Sequence, residues 1–337
     1  SRKPDVACDA TRDIFLVVWE YEFFSWDWDI QTRAVYGGYQ SPGSQFFSDV
    51  TFISTAGEDE HTPAVACNNN DHTCLVVYQN KEHNNGDIYA NRVPIGTTDI
   101  SKSTPFIIAN STKAEWDPEV VWGSREDEFL VVWTYDYTPA AGDDYSRVIY
   151  TAIWDTEQIG SQRKLASNYY VLQTGTYVND QVLPAVAYND RQREYLVVLA
   201  FLYDEDNLKY EIIGQRKTKD NTNRGDSFRI TTSGFSNSYN PAVVFSNGTG
   251  EPNALGTEQY LVAYSLKNTL GQTLIVGQAV VASYASAASR ASQLDGPAVL
   301  VDTEAEEGFA TPSLDVVAST QNGKYLVVWD RYPNSGI

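Results

Sequence analysis

The sequence predicts an all-β fold: a β-propeller of four-stranded antiparallel blades with six repeats, the sixth incomplete. Two recurring strings and their period predict it. A Leu-Val-Val type string appears six times: Phe-Leu-Val-Val-Trp at 15–19, Cys-Leu-Val-Val-Tyr at 74–78, Phe-Leu-Val-Val-Trp at 129–133, Tyr-Leu-Val-Val-Leu at 195–199, Tyr-Leu-Val-Ala-Tyr at 260–264 and Tyr-Leu-Val-Val-Trp at 325–329. Each follows a shorter run that opens on proline, at Pro4, Pro63, Pro118, Pro184, Pro241 and Pro312. Successive prolines lie 59, 55, 66, 57 and 71 residues apart, and such recurrence is the mark of stacked supersecondary units.

Within each unit the elements follow in order. The proline run reads as strand one, with proline as its first residue, where no ladder donor is lost. The Leu-Val-Val string is β-branched, flanked by aromatics and bounded by turn formers, so it reads as strand two. Its unbroken apolar character predicts burial on both faces. Strand three is read at Asp29-Ile-Gln-Thr-Arg, Gly86-Asp-Ile-Tyr-Ala-Asn-Arg, Tyr145-Ser-Arg-Val-Ile-Tyr, Glu211-Ile-Ile-Gly-Gln-Arg and Leu274-Ile-Val-Gly-Gln. Its mixed polarity predicts a half-exposed strand. Strand four is read at Asp49-Val-Thr-Phe-Ile, Pro105-Phe-Ile-Ile, Tyr169-Tyr-Val-Leu, Ser227-Phe-Arg-Ile and Ala298-Val-Leu-Val. The units fall at about 1–61, 62–116, 117–182, 183–239, 240–310 and 311–337, one propeller domain in all. The last unit stops after its second strand, so the expectation is a sixth blade left open or finished elsewhere, or a seventh outside this chain. An open blade edge is a docking site for a partner strand.

These blades resemble the Pro-Ala-Val-Ala-Tyr-Asn and Tyr-Leu-Val-Val-Trp repeats of secreted prokaryotic β-propeller proteins, and the resemblance covers nearly the whole chain. It implies a fold and an extracellular or cell-surface setting. It implies no activity.

Composition removes some functions. The 44 Asp plus Glu against 24 Lys plus Arg leave a net charge of −20. That field repels phosphate backbones and anionic lipid, so nucleic acid and polybasic membrane binding are not expected. The longest apolar runs, such as 15–19 and 196–202, are too short to span a bilayer. The absence of Met and of a signal peptide fits a processed N-terminus, and equally a chain begun at an internal point. The three cysteines form no zinc pattern. Cys67 and Cys74 bracket a short turn and read either as a cross-strand disulfide or as two buried thiols, with Cys8 a small buried apolar residue.

The entry to strand one and the loop between strands two and three lie on one face of a propeller, where ligands are expected. Three features map there. The first is an aromatic loop of Tyr21, Phe23, Phe24, Trp26 and Trp28, interleaved with Glu20, Glu22, Asp27 and Asp29; exposed rings beside carboxylates suit a sugar or a protein partner, and the same rings suit packing on a neighbouring blade. The second is the slot after each proline. It holds alanine or serine in four units but Asp5 and Glu119 in two, with Asp315 nearby in the sixth. Convergent carboxylates are what a glycosidase needs; a solvated acidic channel mouth needs them equally. The third is the histidines. His61 and His83 fall on the expected binding face, and His72 in the opposite turn. A transition metal needs three converging ligands, so surface histidines are the simpler reading. Calcium is the cation that Asp204-Glu-Asp-Asn207, with Asp204 and Asp206, or Asp302-Thr-Glu-Ala-Glu-Glu307 would take. Neither run has the spaced pattern with a turn glycine, so both read first as solvated turns. Asn110-Ser-Thr and Asn247-Gly-Thr are glycosylation sequons.

The expected function is accordingly a non-enzymatic extracellular module that holds a protein, filament or glycan through loops and an exposed blade edge. The alternative is a carbohydrate-active enzyme, hydrolase or lyase, working through Asp5 and Glu119.

Overall fold

A computed structural model describes residues 2–24, 27–37, 47–54, 59–81, 86–96, 100–137, 146–155, 163–164, 169–170, 180–204, 209–231, 237–246, 258–268, 271–282, 294–302, 313–318 and 324–329. The chain divides into two compact units, Ser1–Tyr145 with Tyr150–Tyr169, and Ser146–Ile149 with Tyr170–Ile337.

The first unit is built on three sheets. Blade one is β1 (Arg2–Asp9), β2 (Ile14–Phe24), β3 (Asp27–Tyr36) and β4 (Thr51–Phe52), hydrogen-bonded in that order. Blade two repeats it with β5 (Glu60–Asn68), β6 (Thr73–Asn80), β7 (Asp87–Pro94) and β8 (Phe106–Ala109). Blade three has β9 (Glu115–Gly123), β10 (Glu128–Tyr137) and β11 (Ser146–Asp155), with β12 (Arg163–Lys164) and β13 (Tyr169–Tyr170) both paired to β11. In the second unit blade four is β14 (Gln181–Asn189), β15 (Glu194–Asp204), β16 (Lys209–Thr218) and β17 (Phe228–Arg229). Blade five is β18 (Asn237–Ser246), β19 (Gln259–Lys267), β20 (Thr273–Val281) and β21 (Leu294–Asp302). The sixth sheet is β22 (Leu314–Ala318) with β23 (Tyr325–Trp329). First strands lie side by side, β5 between β1 and β9, and β18 between β14 and β22.

The turn after strand one shows why the repeat folds alike each time. Asp9 Oδ1 accepts the backbone N–H groups of Thr11 and Arg12, Asn68 Oδ1 those of Asn70 and Asp71, and Asn189 Oδ1 those of Arg191 and Gln192. An Asx side chain thus closes the turn locally. The last turn residue is left-handed in Asp13, His72, Asp127 and Arg193, with φ of 53°, 60°, 57° and 54°.

Two expectations need correction. In the first five blades proline does not open strand one, Pro312 lying outside the described residues. It sits inside the strand, at a register shift between Arg2 and Asp5, His61 and Ala64, Val182 and Ala185, and Tyr239 and Ala242. The residue before it is left-handed in Lys3, Thr62, Asp117, Leu183 and Asn240. A bulge is the other place where a strand tolerates proline, because the ladder is already broken there. Strand three is not half-exposed: Thr32, Asn91, Gln215, Arg216 and Lys217 are buried along with its apolar residues. Polar side chains can be buried there because they bond within the blade. Asn91, for example, accepts from Tyr78 Oη and donates to the Ser103 carbonyl.

Burial of strand two is as expected in blades two to four. Leu75, Val76, Val77, Leu130, Val131, Val132, Leu196, Val197 and Val198 are fully buried, each worth about 1.5–3 kcal/mol of apolar burial. In blade two one face of the string packs on the blade before and the other on the blade after. Leu75 and Val77 meet Phe129, Val131 and Trp133 of blade three, while Val76 and Tyr78 meet Leu16 and Val18 of blade one. The sixth sheet differs. Val316 packs against Ala242 and Ala263, but Val317, Leu326 and Val328 on the opposite face are exposed.

Candidate functional site

The entry side of blades one and two gathers the most chemistry among the described residues. The bulge at Lys3–Pro4 leaves Arg2 opposite Glu20 across the β1–β2 ladder. Glu20 is fully buried, yet both oxygens are used: Arg2 Nε donates to Oε2 at 2.5 Å, and the Thr62 N–H donates to Oε1 at 2.8 Å, with His61 Nδ1 at 3.6 Å. Burial alone would raise its pKa. The hydrogen bonds from His61, Thr62 and Arg2 outweigh that and hold it at about 2. Trp28 stands beside this ion cluster, its ring under the Arg2 guanidinium at 3.9 Å and 6.2 Å from the His61 ring. Asp59 accepts the Trp28 N–H through Oδ1 at 3.2 Å, and its Oδ2 lies 4.0 Å from His61 Nε2.

Behind this cluster lie carboxyls of the opposite character. Glu60 is fully buried, and burial, with the charges of Asp29 and Asp27 adding to it, raises its pKa to about 8 despite hydrogen bonds from Ser54 and from Asn80, whose Nδ2 donates to Oε1 at 2.8 Å. Its Oε2 has no hydrogen-bond partner. Asp29 is raised to about 6 by burial and by Asp27. Lys102 is close enough to feel both acids, but its Nζ donates to the Ile53 carbonyl at 3.0 Å and burial lowers its pKa. The next blade junction repeats the pattern: Glu115 is raised to about 7 by burial and by Asp87, with which it shares a hydrogen bond.

The expected residues fall as follows. Asp5 is on β1 just past the bulge, where Oδ1 accepts the Val6 N–H at 2.8 Å and Oδ2 the Val65 N–H at 2.7 Å. Its carboxylate thus ties the first strand of blade one to that of blade two. Glu119 is half-buried on β9, opposite Val132. Asp315 lies on β22 in the second unit, where Oδ1 accepts the Val316 N–H at 2.7 Å. The aromatic loop is largely strand, since β2 runs to Phe24 and β3 begins at Asp27. Tyr21 and Phe23 stand edge-on to Phe52 at 6.2 and 6.3 Å, and Phe23 is 51% exposed. Tyr135, the counterpart of Tyr21 in blade three, packs against the core that blade shares with blade two, so Tyr21 occupies a blade-packing position. Trp28 is the ring that belongs to the site. Trp26 and the Phe24 side chain lie outside the described residues.

His61 joins Glu20 and Asp59, whereas His83 and Asp206, with the side chain of Asp204, lie outside the described residues. Among the described residues no three His, Cys, Asp or Glu side chains converge to hold a metal. His72 sits in the opposite turn, its Nδ1 2.7 Å from Asp9 Oδ2. Cys67 and Cys74 are paired across β5 and β6 and joined in a disulfide. Cys8 is only half-buried, contrary to expectation, because it lies on the face of blade one that also exposes Val6 and Phe15. Asn110 is exposed just after β8; Asn247 lies outside the described residues.

Glu20, Glu60 and Asp29 were not singled out as site residues by sequence reasoning. Part of the signal was present. Glu60 and Glu115 each stand three residues before the blade proline, and Asp29, Asp87 and Glu211 each precede an isoleucine in strand three.

No family model and no curated protein matches the sequence. Solved structures do match. The chain is similar to the alpha-L-arabinofuranosidase of Fusarium graminearum in complex with an iminosugar inhibitor, at a TM-score of 0.56 and 10% identity over 99% of this chain and 89% of that one. It is similar to a protein of unknown function from Dyadobacter fermentans at 0.56 and 9% identity, covering 96% and 92%. It is also similar to the Hadza microbial sialidase Hz136 at 0.51 and 10% identity, where it covers 94% of itself and spans only 60% of that enzyme's length. At such identity the likeness establishes the fold, an all-β propeller of four-stranded antiparallel blades.

Proposed function

We propose that this protein acts on glycans, with the entry side of blades one and two as its site. The observation that carries this reading is the set of opposed carboxyl environments at one blade junction, Glu20 buried but held ionised by Arg2 and the Thr62 N–H, Glu60 buried and pushed up to about 8, and Asp29 raised to about 6. Titratable neighbours pushed apart in this way divide acid from base in glycoside hydrolysis. Trp28 offers a ring for sugar stacking, and Asp59 an acceptor for a hydroxyl. A carboxyl that keeps its proton is what a departing glycosidic oxygen requires. The fold neighbours, an arabinofuranosidase and a sialidase, lend weight to this reading over the non-enzymatic one. The disulfide, together with the resemblance to secreted prokaryotic propeller repeats, favours an oxidising extracellular setting.

The test is a hydrolysis screen on aryl glycosides. Asp29→Asn and Glu60→Gln should each lower the rate about 10²–10⁴-fold while circular dichroism stays unchanged. A full panel without turnover by the wild-type protein would sink the catalytic reading.

A second reading is a docking module, and one observation favours it. Val317, Leu326 and Val328 expose an apolar face on the sixth sheet, at positions that in blades one, two and four bury against the following blade.

A further inference from the structure

We infer that the free long edge of β23 docks an extended strand of another polypeptide, one with the residue pattern that the third strand has in the other blades. The inference deepens the docking reading, rests on it, and makes no use of the glycan site. In blades one to five strand two lies between strands one and three. Among the described residues of the sixth sheet, β23 pairs with β22 alone. Its other edge therefore carries backbone N–H and C=O groups that the other blades pair to strand three, and an extended segment satisfies such a row directly. The strand reads Tyr325-Leu-Val-Val-Trp. It holds no charge and no proline, so it lacks two of the devices by which sheets guard an edge. Val316 of β22 packs with Ala242 and Ala263 of blade five, which holds the sheet in place before anything binds and so lowers the ordering cost of docking.

The other blades show what this edge accepts, position by position. Opposite the leucine of the Leu-Val-Val string stand Ala34, Arg92, Arg216 and Ala279 in blades one, two, four and five. Opposite the next residue stand Arg33, Asn91, Gln215 and Gln278, all polar. Gln215 and Gln278 each donate to the carbonyl of the following residue in their own strand, so they ask nothing of strand two. Opposite the residue after that stand Thr32, Ala90, Gly214 and Gly277, all small. A Cβ added at Gly214 would lie 2.8 Å from the Phe228 ring, so in blade four the packing of strand four demands the small residue. Carried to β23, the docking strand has a small residue opposite Val328, a polar one opposite Val327 and alanine or arginine opposite Leu326. None of these positions holds an acid in the other blades, which suits a chain of net charge −20, whose field draws in neutral or basic segments. Blade five has a deficit that the same strand meets. In blades two and four the fourth strand shares a core with the third strand of the following blade, Ile108 and Ala109 with Trp154, and Phe228 with Val276. The fourth strand of blade five is β21, and its Val299, Leu300 and Val301 are 64%, 48% and 39% exposed. A third strand on β23 takes the place beside β21 that β11 and β20 take in the earlier junctions.

The probe is a labelled synthetic peptide of strand three of blade four, Lys-Tyr-Glu-Ile-Ile-Gly-Gln-Arg-Lys-Thr, the sequence of Lys209–Thr218. It is added to the whole chain beside two controls, a scrambled peptide of the same charge and the peptide carrying Gly214→Leu. Fluorescence anisotropy reads binding, and amide hydrogen exchange reads the edge at 325–329. The peptide should slow exchange at 325–329 at least about tenfold, and both controls should bind at least about tenfold more weakly. Equal binding of the scrambled peptide, or no slowing at 325–329, overturns the inference. Amides at 325–329 already protected before any peptide is added overturn it too. Light scattering on the chain alone then decides the docking reading: a dimer leaves that reading standing with a second copy as the occupant, and a monomer ends both.

Discussion

Asp5 illustrates how a residue with catalytic promise can be absorbed by structure. A propeller's first strand has one unpaired edge, and its N–H groups need acceptors. Asp5 supplies one to Val65 across the blade boundary. Asp5→Ala should therefore cost about 1–3 kcal/mol by leaving that donor unmet. Urea unfolding measures it, and an unchanged midpoint would return Asp5 to the list of free carboxylates. The raised and lowered carboxyls make an opposite pair of predictions. Glu60 releases its proton at about 8 when folded and near 4.5 when unfolded. Between those values the folded state holds a proton that the unfolded chain has lost, so stability falls as pH rises through that window. Glu115, at about 7, and Asp29, at about 6, act in the same direction. Glu20 acts in reverse: its contribution is present above 4.5 and is lost as pH falls towards 2. Glu60→Gln should flatten the alkaline limb of a stability–pH profile and Glu20→Gln the acid limb. A profile that ignores both substitutions would contradict these environments.

At the scale of elements, the β5–β6 hairpin combines an Asx turn, a left-handed His72 and a disulfide directly behind it. The bridge closes a short loop, so it removes about 2–3 kcal/mol of unfolded-state freedom. Reduction, or the double change Cys67→Ala with Cys74→Ala, should lower urea stability by that order and leave the sheet pairing intact by circular dichroism. Strand positions were legible in the sequence almost throughout, because a buried strand two needs Leu-Val-Val and little else. Two features of the elements were not. The proline bulge depends on a left-handed residue before proline, and Lys3, Thr62, Asp117, Leu183 and Asn240 have no side-chain type in common. Burial of strand three was hidden because its polar residues look solvent-facing until their partners are known, as with Asn91 and Arg216.

Across the molecule, equivalent positions in the repeat have unequal weight. Leu196 of blade four is fully buried, whereas Leu326, its counterpart in the sixth sheet, is 59% exposed. Leu196→Ala should cost about 2–5 kcal/mol, and Leu326→Ala less than about 0.5 kcal/mol. Thermal melts of the two variants distinguish a position in the repeat from a position in the core. If Leu326→Ala proves equally costly, the exposed face is covered in solution, and light scattering with and without Leu326→Lys would show whether another copy covers it.

By itself the sequence determined the class of fold and the order of strands within a blade. These rest on apolar pattern and turn chemistry, which are local and repeat. Only the tertiary structure decided which acids matter. Asp5 and Glu119 were conspicuous for breaking the repeat. Glu20, Asp29 and Glu60 acquire their character from burial and from partners on a neighbouring blade, and a pKa set by neighbours distant in sequence cannot be read from a residue's own place in the chain.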